Sequence, residues 1–578
     1  MKRHVNYISI FIIITLIAAL AALTACKPKS APDQATTDKA TGQASQGSIK
    51  LEQTTTIAPA TTVETKKARP ENALPTWLCD DLTTLSFLTH AGWSGDSPQP
   101  SNDLPKYREL ERLTNVHIEF EVIPVGELNA AVDARFASGS KLPDIVNYNA
   151  GVSRLPALVE EKLIVDQTKF WNERYPNTHA LISGEHPYSD PMYAQLYATM
   201  SINGIFYGAT QIAPIRGMQT GLLVNKFWLE KLKLPEPKTI DEFYNMLVAF
   251  RDNAARLNED TDAIIPLASE KFCLTVIANY FGVEFGGSAN GNGLSATDGK
   301  LRFERTGDKY RAFVSFLNKL YKDKLLDPDF MTADRNTLNA YSKNNKCGVI
   351  NWWIQAMDSF SAYSPYSGEG FNSEIEVFRP LAPLKNGADG GYIYNRRSGL
   401  SNMMLISTAC KNPEIAADWI DFIFASRDGM DMIAYGVLGE SFLMNGGEVE
   451  YIKDKDGRWR REAVGGGQQP HAFIEADERY IYATAPKWKI AAWDSLIPYY
   501  REGTVYNLAL LPDESMALIE SCPELSKYID EAYDSFVTGE ADVNDDAAWN
   551  EYVETCESLG QAVYVKNYQA AYDRKNKK

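Results

Sequence analysis

The chain has 578 residues, 75 acidic and 58 basic, giving a formal net charge of −17. Hydrophobic residues at 44% and charged residues at 23% exclude wholesale disorder and fibrous repeats, and the length allows about three to five domains. The acidic balance excludes the basic footprint that nucleic acid needs for counterion release, and a polybasic patch for an anionic lipid surface.

Lys2 and Arg3 precede an apolar stretch from Ile8 to Leu23, followed by Leu23-Thr24-Ala25-Cys26. The stretch is shorter than the roughly 20 residues of a bilayer-spanning helix, and a small residue precedes the cysteine, which is a signal-peptide layout. Leu-Thr-Ala-Cys resembles a bacterial lipobox. That resemblance implies a signal peptide over 1–25, cleavage before Cys26 and diacylglycerol on its sulfur, so that acyl chains, palmitate among them, hold the mature protein on the cell membrane. Two chains anchor stably where one does not. Loss of Lys2 and Arg3 moves the charge from −17 to −19.

Residues 26–75 then read as the lipidated cysteine and a flexible tether. From Lys27 to Pro70, Ser, Thr, Ala, Gln and Pro dominate without apolar periodicity, too little to offset the entropy of ordering. Thr54-Thr55-Thr56 and Thr61-Thr62 read as spacer ahead of O-glycan carriers. The working part is therefore expected on the extracellular side. The remaining cysteines, Cys79, Cys273, Cys347, Cys410, Cys522 and Cys556, form no C-x-x-C pair, which removes zinc-ribbon and thioredoxin-like readings. Their wide spacings fit disulfides and buried thiols equally.

The globular part alternates strands and helices. Thr84–Leu88 reads as a strand, and Leu104–Leu113 as a helix with Tyr107, Leu110 and Leu113 on one side. Val116, Ile118, Phe120 and Val122 alternate with polar residues as a half-polar strand. A helix over Glu127–Ala137, a strand over Leu142–Tyr148 and a helix over about Ser153–Leu163 complete an α/β layer with a mostly parallel sheet. After Pro214-Ile215-Arg216-Gly217 a second unit begins: a strand over Gly221–Asn225 and a helix over Lys226–Leu232, closed by Pro235 and Pro237. Thr239 and Glu242 form a capping box for a helix with Ile240, Phe243, Leu247 and Phe250 buried. Asp298-Gly299 predicts a hairpin between Leu294 and Phe303. Tyr310, Phe313, Leu317 and Leu320 mark a long helix, and Asn412-Pro413 opens another with Ala416, Ile420 and Ile423 inward.

The stretches "ASGSKLPDIVNYN", "GLLVNKFWLEKLKLPEPKTIDEFYNMLVAF", "FLNKLYKDKLLDPDF", "KNPEIAADWIDFIF", "YGVLGESF" and "NYQAAYDR", in this order, resemble the extracellular solute-binding proteins of family 1. The likeness is to the large lipoprotein branch serving carbohydrate ABC importers, and it spans roughly residues 80 to 575. It implies an α/β, two-lobed, periplasmic-binding-protein-like fold of type II, with a ligand cleft between the lobes and hinge closure around the ligand. The implied division is 76–215 for the first part of lobe 1, 216–375 for lobe 2 and 376–426 for a return to lobe 1. Residues 427–578 then form C-terminal helical segments packing mainly on lobe 2. Partners implied are a carbohydrate ligand and ABC permease subunits, with a monomeric protein, no nucleic acid and the membrane reached through Cys26. Many relatives carry a calcium loop where this chain has Asn253–Asp262, which lacks alternating oxygen ligands and a turn glycine, so neither a structural metal nor a cofactor is expected.

Sugars offer apolar C–H faces and rims of hydroxyls, which aromatic platforms and a few hydrogen-bonding groups recognise. Ligands of open α/β sheets sit beyond the carboxyl ends of the strands. In the first lobe those ends are His90-Ala91-Gly92-Trp93 and Tyr148-Asn149, which makes Trp93, Tyr148 and Asn149 candidates, while Asp144 reads as a turn or cap residue. Arg216 at the passage between lobes suits a polyol or acidic sugar, or else a surface ion pair. Trp352 and Trp353 are adjacent and so point to opposite strand faces, one inward and at most one a platform. Tyr392, with Tyr394 on the same face beside paired glycines, and Glu440 in a glycine-bounded turn complete the set. Trp488 and Trp493 read as core, and His179 and His186 as surface-loop residues at a poor metal spacing. No H-E-x-x-H, G-x-S-x-G or Walker A motif is present. The chain therefore reads as a binding protein. A peptide ligand, a sensory ligand-presenting role and a surface glycan-degrading enzyme stand as the alternatives.

Overall fold

In a computed structural model of the chain, the described residues are 73–576 other than 92–98, 139–141, 150–153, 188, 190–199, 203, 212–219, 260–263, 285–292, 369–372, 396–401, 446–447, 456–458, 467–484, 506–507 and 509. They build two α/β lobes, each around its own four-stranded sheet. In the first, β1 (Thr83–His90) and β2 (Val116–Ile123) run parallel, in register from Thr83–Val116 to His90–Ile123. They are joined by α1 (Pro105–Thr114), which opens on a proline and closes at Asn115 in the left-handed region. After α2 (Leu128–Ser138), β3 (Ile145–Tyr148) pairs with the other side of β1, also in parallel. Both faces are covered. Leu85, Phe87 and Ile145 enter one apolar cluster, while Leu88, Val146 and Tyr148 enter another. Asp144 has a structural role, since its Oδ2 accepts from Ser86 N and Oγ at 2.8 and 2.7 Å, tying β3 to β1.

The second lobe begins at β4 (Thr220–Asn225), all six residues of which are buried. Asn225 Oδ1 accepts from the backbone N–H groups of Phe227 and Trp228 at 3.1 and 3.3 Å and so starts the helix Lys226–Leu232. The capping box of Thr239 and Glu242 is present at α3 (Ile240–Asp252), whose buried stripe adds Met246 to the expected residues. Asp298 and Gly299, at φ 51° and 77°, make the tight turn between Leu294 and Phe303. The sheet order is β7–β4–β6–β5, with β5 (Ile265–Ser269), β6 (Cys347–Trp353) and β7 (Phe378–Pro380). β6 is antiparallel to β4 and parallel to β5. α4 (Asp308–Lys322) packs against α6 (Leu525–Thr538), burying Phe313, Leu317, Ile529 and Phe536 in the largest core of the molecule.

After β8 (Ile393–Asn395) the chain returns to the first lobe. There β9 (Met403–Ile406) adds an antiparallel edge strand against β3 and α5 (Pro413–Ala425) covers the sheet. β10 (Tyr500–Glu502) later pairs in parallel with β8. The division expected from sequence moves in two places. β7 pairs with β4, and Leu381, Leu384 and Ile393 join the second-lobe core, so residues 376–395 belong to lobe 2. Met430 and Met432 pack in the first-lobe core, and the hairpin Phe442–Tyr451 packs on Tyr435. Among the described residues, the C-terminal segments on lobe 2 therefore start at helix Lys487–Leu496, where Trp493 is buried and Trp488 packs beside it. Prolines and turn residues mark where elements stop, but tertiary pairing decides which sheet a three-residue strand joins.

His179 and His186 also differ from expectation. His179 lies in the helix Pro176–Ser183, its ring 4.5 Å from that of Trp171, and His186 is buried. The six described cysteines are all free thiols. Among the described residues no helix is long and apolar enough to cross a membrane.

Candidate ligand-binding cleft

Two passages of chain fix which ends of the sheets face each other. Gln211 is the last described residue before β4, and Thr220, the first of β4, pairs with Trp353 at the carboxyl end of β6. On the return, Asn402 is the first described residue, and Met403 beside it pairs with Tyr148 at the carboxyl end of β3. The carboxyl ends of the parallel strands in both lobes thus lie at the passages between lobes, where open α/β sheets hold ligands.

The lip of lobe 1 is a buried polar network. His90 Nε2 lies 3.1 Å from Asn402 Oδ1, and Asn402 Nδ2 donates to Gln211 Oε1 at 2.9 Å. The amide nitrogen being used on Gln211, Asn402 Oδ1 accepts, so the histidine is the Nε2–H tautomer. Asn402 sits at φ 49°, and its N–H donates to Asn149 Oδ1 at 3.4 Å. Burial pushes His90 down to about 4, against the opposing effect of the Asn402 hydrogen bond. Asn147 Nδ2 donates to Thr89 Oγ1 at 3.2 Å behind this layer. Tyr148, 2% exposed, is packed among Leu128, Val132 and Leu158, and its hydroxyl has no hydrogen-bond partner among the described residues. Asn149 is part-exposed at the lip.

The lip of lobe 2 carries a different chemistry. Strand alternation sends Val349, Asn351 and Trp353 to one face of β6, and Ile350 and Trp352 to the other. Trp352 packs in the cluster of Ile350, Ile354, Phe378 and Trp493. Trp353 is part-exposed, its ring 6.3 Å from that of Phe272, which is 46% exposed. Asn351 Nδ2 donates to Ser269 Oγ at 3.1 Å, and that hydroxyl donates to Glu270 O at 2.8 Å. Asn351 Oδ1 is buried with no hydrogen-bond partner among the described residues. The Glu270 carboxylate, half-buried, likewise has no hydrogen-bond or ion-pair partner among them; burial first and Asp334 second raise its pKa.

Tyr392 and Tyr394 meet edge to face at 5.2 Å, with the Arg501 guanidinium 3.9 Å over the Tyr392 ring. Tyr394 borders a polar cavity of about 270 Å³ with Glu284, Arg302, Glu304 and Lys309. Glu440 lies in the turn after Gly439 (φ 82°), its N–H donating to Val437 O at 3.0 Å, and no contact joins it to the lips just described. Trp93, Arg216, Cys26, and Asp260 and Asp262 of the expected non-calcium loop lie outside the described residues. A second hollow, of about 770 Å³, opens by Ile265 and Lys346 at the opposite ends of β5 and β6, away from the passages.

Sequence reasoning named His90 only as a strand end and missed Glu270, Phe272, Asn351, Gln211 and Asn402. A usable signal exists for Glu270, because it comes one residue, Ser269, after the apolar run Ile264–Ala268. Gln211 and Asn402 carry none, since contacts set by folding bring them together.

Known proteins share this architecture. The fructooligosaccharide ABC transporter substrate-binding protein FusA of Streptococcus pneumoniae is 24% identical over 530 residues, covering 86% of this chain and 92% of that protein. The polygalacturonan/rhamnogalacturonan-binding protein YtcQ of Bacillus subtilis is 22% identical over 519 residues, covering 85% and 91%. Among solved structures, the alginate-binding protein AlgQ2 without calcium ion superposes with a TM-score of 0.71 at 21% identity, covering 86% of this chain and 99% of that one. FusA in complex with kestose gives 0.68 at 21%, covering 85% and 99%. The family model of the bacterial extracellular solute-binding proteins matches residues 105–430, more than half of the chain. With both lobes matched to that architecture, the chain belongs to the bacterial extracellular solute-binding proteins.

Proposed function

We propose that this chain is the substrate-binding component of an ABC importer, lipid-anchored through Cys26 on the extracellular side, and that it captures an oligosaccharide. The observation carrying the reading is the pair of lips at the passages between lobes. The carboxyl-end lip of lobe 2 carries an aromatic pair, Trp353 and Phe272, and partnerless acceptors, and that of lobe 1 is rich in amides. A sugar presents a C–H face to the rings and hydroxyl donors to the acceptors. Relatives named for binding fructooligosaccharide and polygalacturonan support the same class.

Capture is a population shift. Contacts from both lips exist together only when the lobes close, so a ligand touching both favours the closed state by its differential affinity. Each lobe moves as a packed body around its own sheet. The closed monomer then delivers its ligand to permease subunits, and a partner ATPase supplies the energy, as the sequence contains no Walker A loop.

Thermal-shift screening of the mature protein against pooled oligosaccharides and pooled peptides tests the ligand class. At a ligand concentration about 100 times Kd the gain is about 2.7 kcal/mol, a shift of several degrees. A response to peptides with none to sugars refutes the reading, and release of product from a bound sugar refutes it in favour of an enzyme. Cys26→Ala should release the protein from membranes into the medium; unchanged membrane partition would remove the anchor.

A further inference from the structure

The geometry points to selection of uncharged sugars, with Glu270 and Asn351 of the second lobe rejecting uronates and other anionic units; this rests on the carbohydrate reading above. The argument starts from what the lip of lobe 2 lacks. Glu270 carries a carboxylate that no described residue neutralises or donates to, and Asn351 presents a buried amide oxygen in the same condition. Both have already spent what else they could offer. The Asn351 amide nitrogen is on Ser269, and the Ser269 hydroxyl proton is on the Glu270 carbonyl. What this end of the sheet leaves without a partner among the described residues is therefore acceptor chemistry, on segments that also carry the Trp353 and Phe272 rings.

Such a wall asks its ligand for hydrogen-bond donors. Two neighbouring sugar hydroxyls satisfy the half-buried Glu270 carboxylate, while the fully buried Asn351 amide oxygen adds negative potential behind it. A uronate carboxylate has no proton to give and would bring a second negative charge to a half-buried site already facing Asp334. Asp334 itself is held by Thr337, whose N–H and hydroxyl both lie 2.8 Å from its Oδ1. Among the described residues, the cations next to Glu270 and Asp334 in the chain are engaged elsewhere. Lys271 Nζ is 2.5 Å from Asp534, and Arg335 donates to Asn339 and Ser359 while lying over the Phe360 ring. The selectivity is thus built from a missing donor as much as from a present charge, the repulsive element that discrimination needs.

The test is titration calorimetry on the full mature protein at pH 7 with two pools. One holds fructo-, malto- and xylo-oligosaccharides; the other holds oligogalacturonates and alginate oligomers. The expected result is binding from the neutral pool and at least about 100-fold weaker binding from the anionic pool. Glu270→Gln should lower neutral-sugar affinity by about tenfold or more while raising the response to uronates. Glu270→Asp keeps the charge and should keep the rejection. Both variants should melt within about 2 °C of the parent. Tighter binding of uronates by the parent, or a Glu270→Gln protein with an unchanged ratio between pools, overturns the selectivity while leaving carbohydrate capture standing. Silence from both pools with a response to peptides overturns the carbohydrate reading itself, and the selectivity with it.

Discussion

His90 and Asn402 stand 312 positions apart in the chain and meet at 3.1 Å where the chain comes back to the first lobe. The bond joins the carboxyl end of β1 to the residue beside β9, and Asn402 passes it on to Gln211, the last described residue before the second lobe. One side chain therefore ties the end of β1 to the described residues that flank two of the crossings between lobes, on the lobe 1 side.

This tie has a pH signature. His90 is neutral when folded, with a pKa near 4, and titrates near 6.5 when unfolded. Above pH 6.5 it is neutral in both states. Between 6.5 and 4 the unfolded chain binds a proton that the folded one refuses, so stability falls with pH by up to about 3 kcal/mol. Urea melts of His90→Gln should lack this acid loss relative to the parent. Parallel pH profiles for the two proteins would show the histidine free to titrate in the fold.

Asp418 has the opposite sign. Burial pushes its carboxyl up to about 6, although Arg174 at 3.2 Å opposes the shift. Above pH 6 it is charged in both states and the fold bears the cost of burying the charge. As pH falls from 6 towards 3.8 the folded form takes the proton first, so this group adds stability. Asp418→Asn should gain about 1 kcal/mol at pH 7 and lose the acid-side gain. A loss at pH 7 in urea melts would mean that the Arg174 pair outweighs the burial.

The cysteines predict an absence of redox sensitivity. Six described thiols are free, and burial raises those of Cys347, Cys410 and Cys556, with Cys556 pushed up to about 11. Only a thiolate attacks, so a thiol reagent should label these three once urea unfolds the chain and leave the native state almost untouched. The melting temperature should be the same with and without reductant; a drop on reduction would reveal a disulfide.

Where sequence and structure agree, the determinant is local. The capping box of Thr239 and Glu242, the Asp298-Gly299 turn and the stripe Tyr310, Phe313, Leu317 and Leu320 depend on neighbours within a few positions. They are accordingly legible. Asn351 and Ser269, or Asn402 and Gln211, become one site by strand pairing across 82 and 191 positions, and nothing in either segment encodes its partner. β7 pairs in lobe 2 where the sequence division points to lobe 1 for the same reason, three residues being too few to show which sheet they complete. The Trp352–Trp353 pair lies between these cases. Alternation states that the two rings part, and only the packing of Trp352 against Trp493 says which goes inward.

That parting separates stability from binding. Trp352 fills space among Ile350, Ile354 and Phe378, so Trp352→Ala should cost about 2–4 kcal/mol, from lost transfer energy and the cavity left behind. Trp353 belongs to no core cluster and shares a part-exposed lip with Phe272, so Trp353→Ala should cost under about 1 kcal/mol. Its effect should fall on ligand affinity instead, at about tenfold or more for a lost aromatic platform. Chemical denaturation and calorimetry on the two variants read these quantities separately. A Trp353→Ala protein that binds as the parent does, or that loses as much stability as Trp352→Ala, would place Trp353 in the core and leave Phe272 as the ring at that lip.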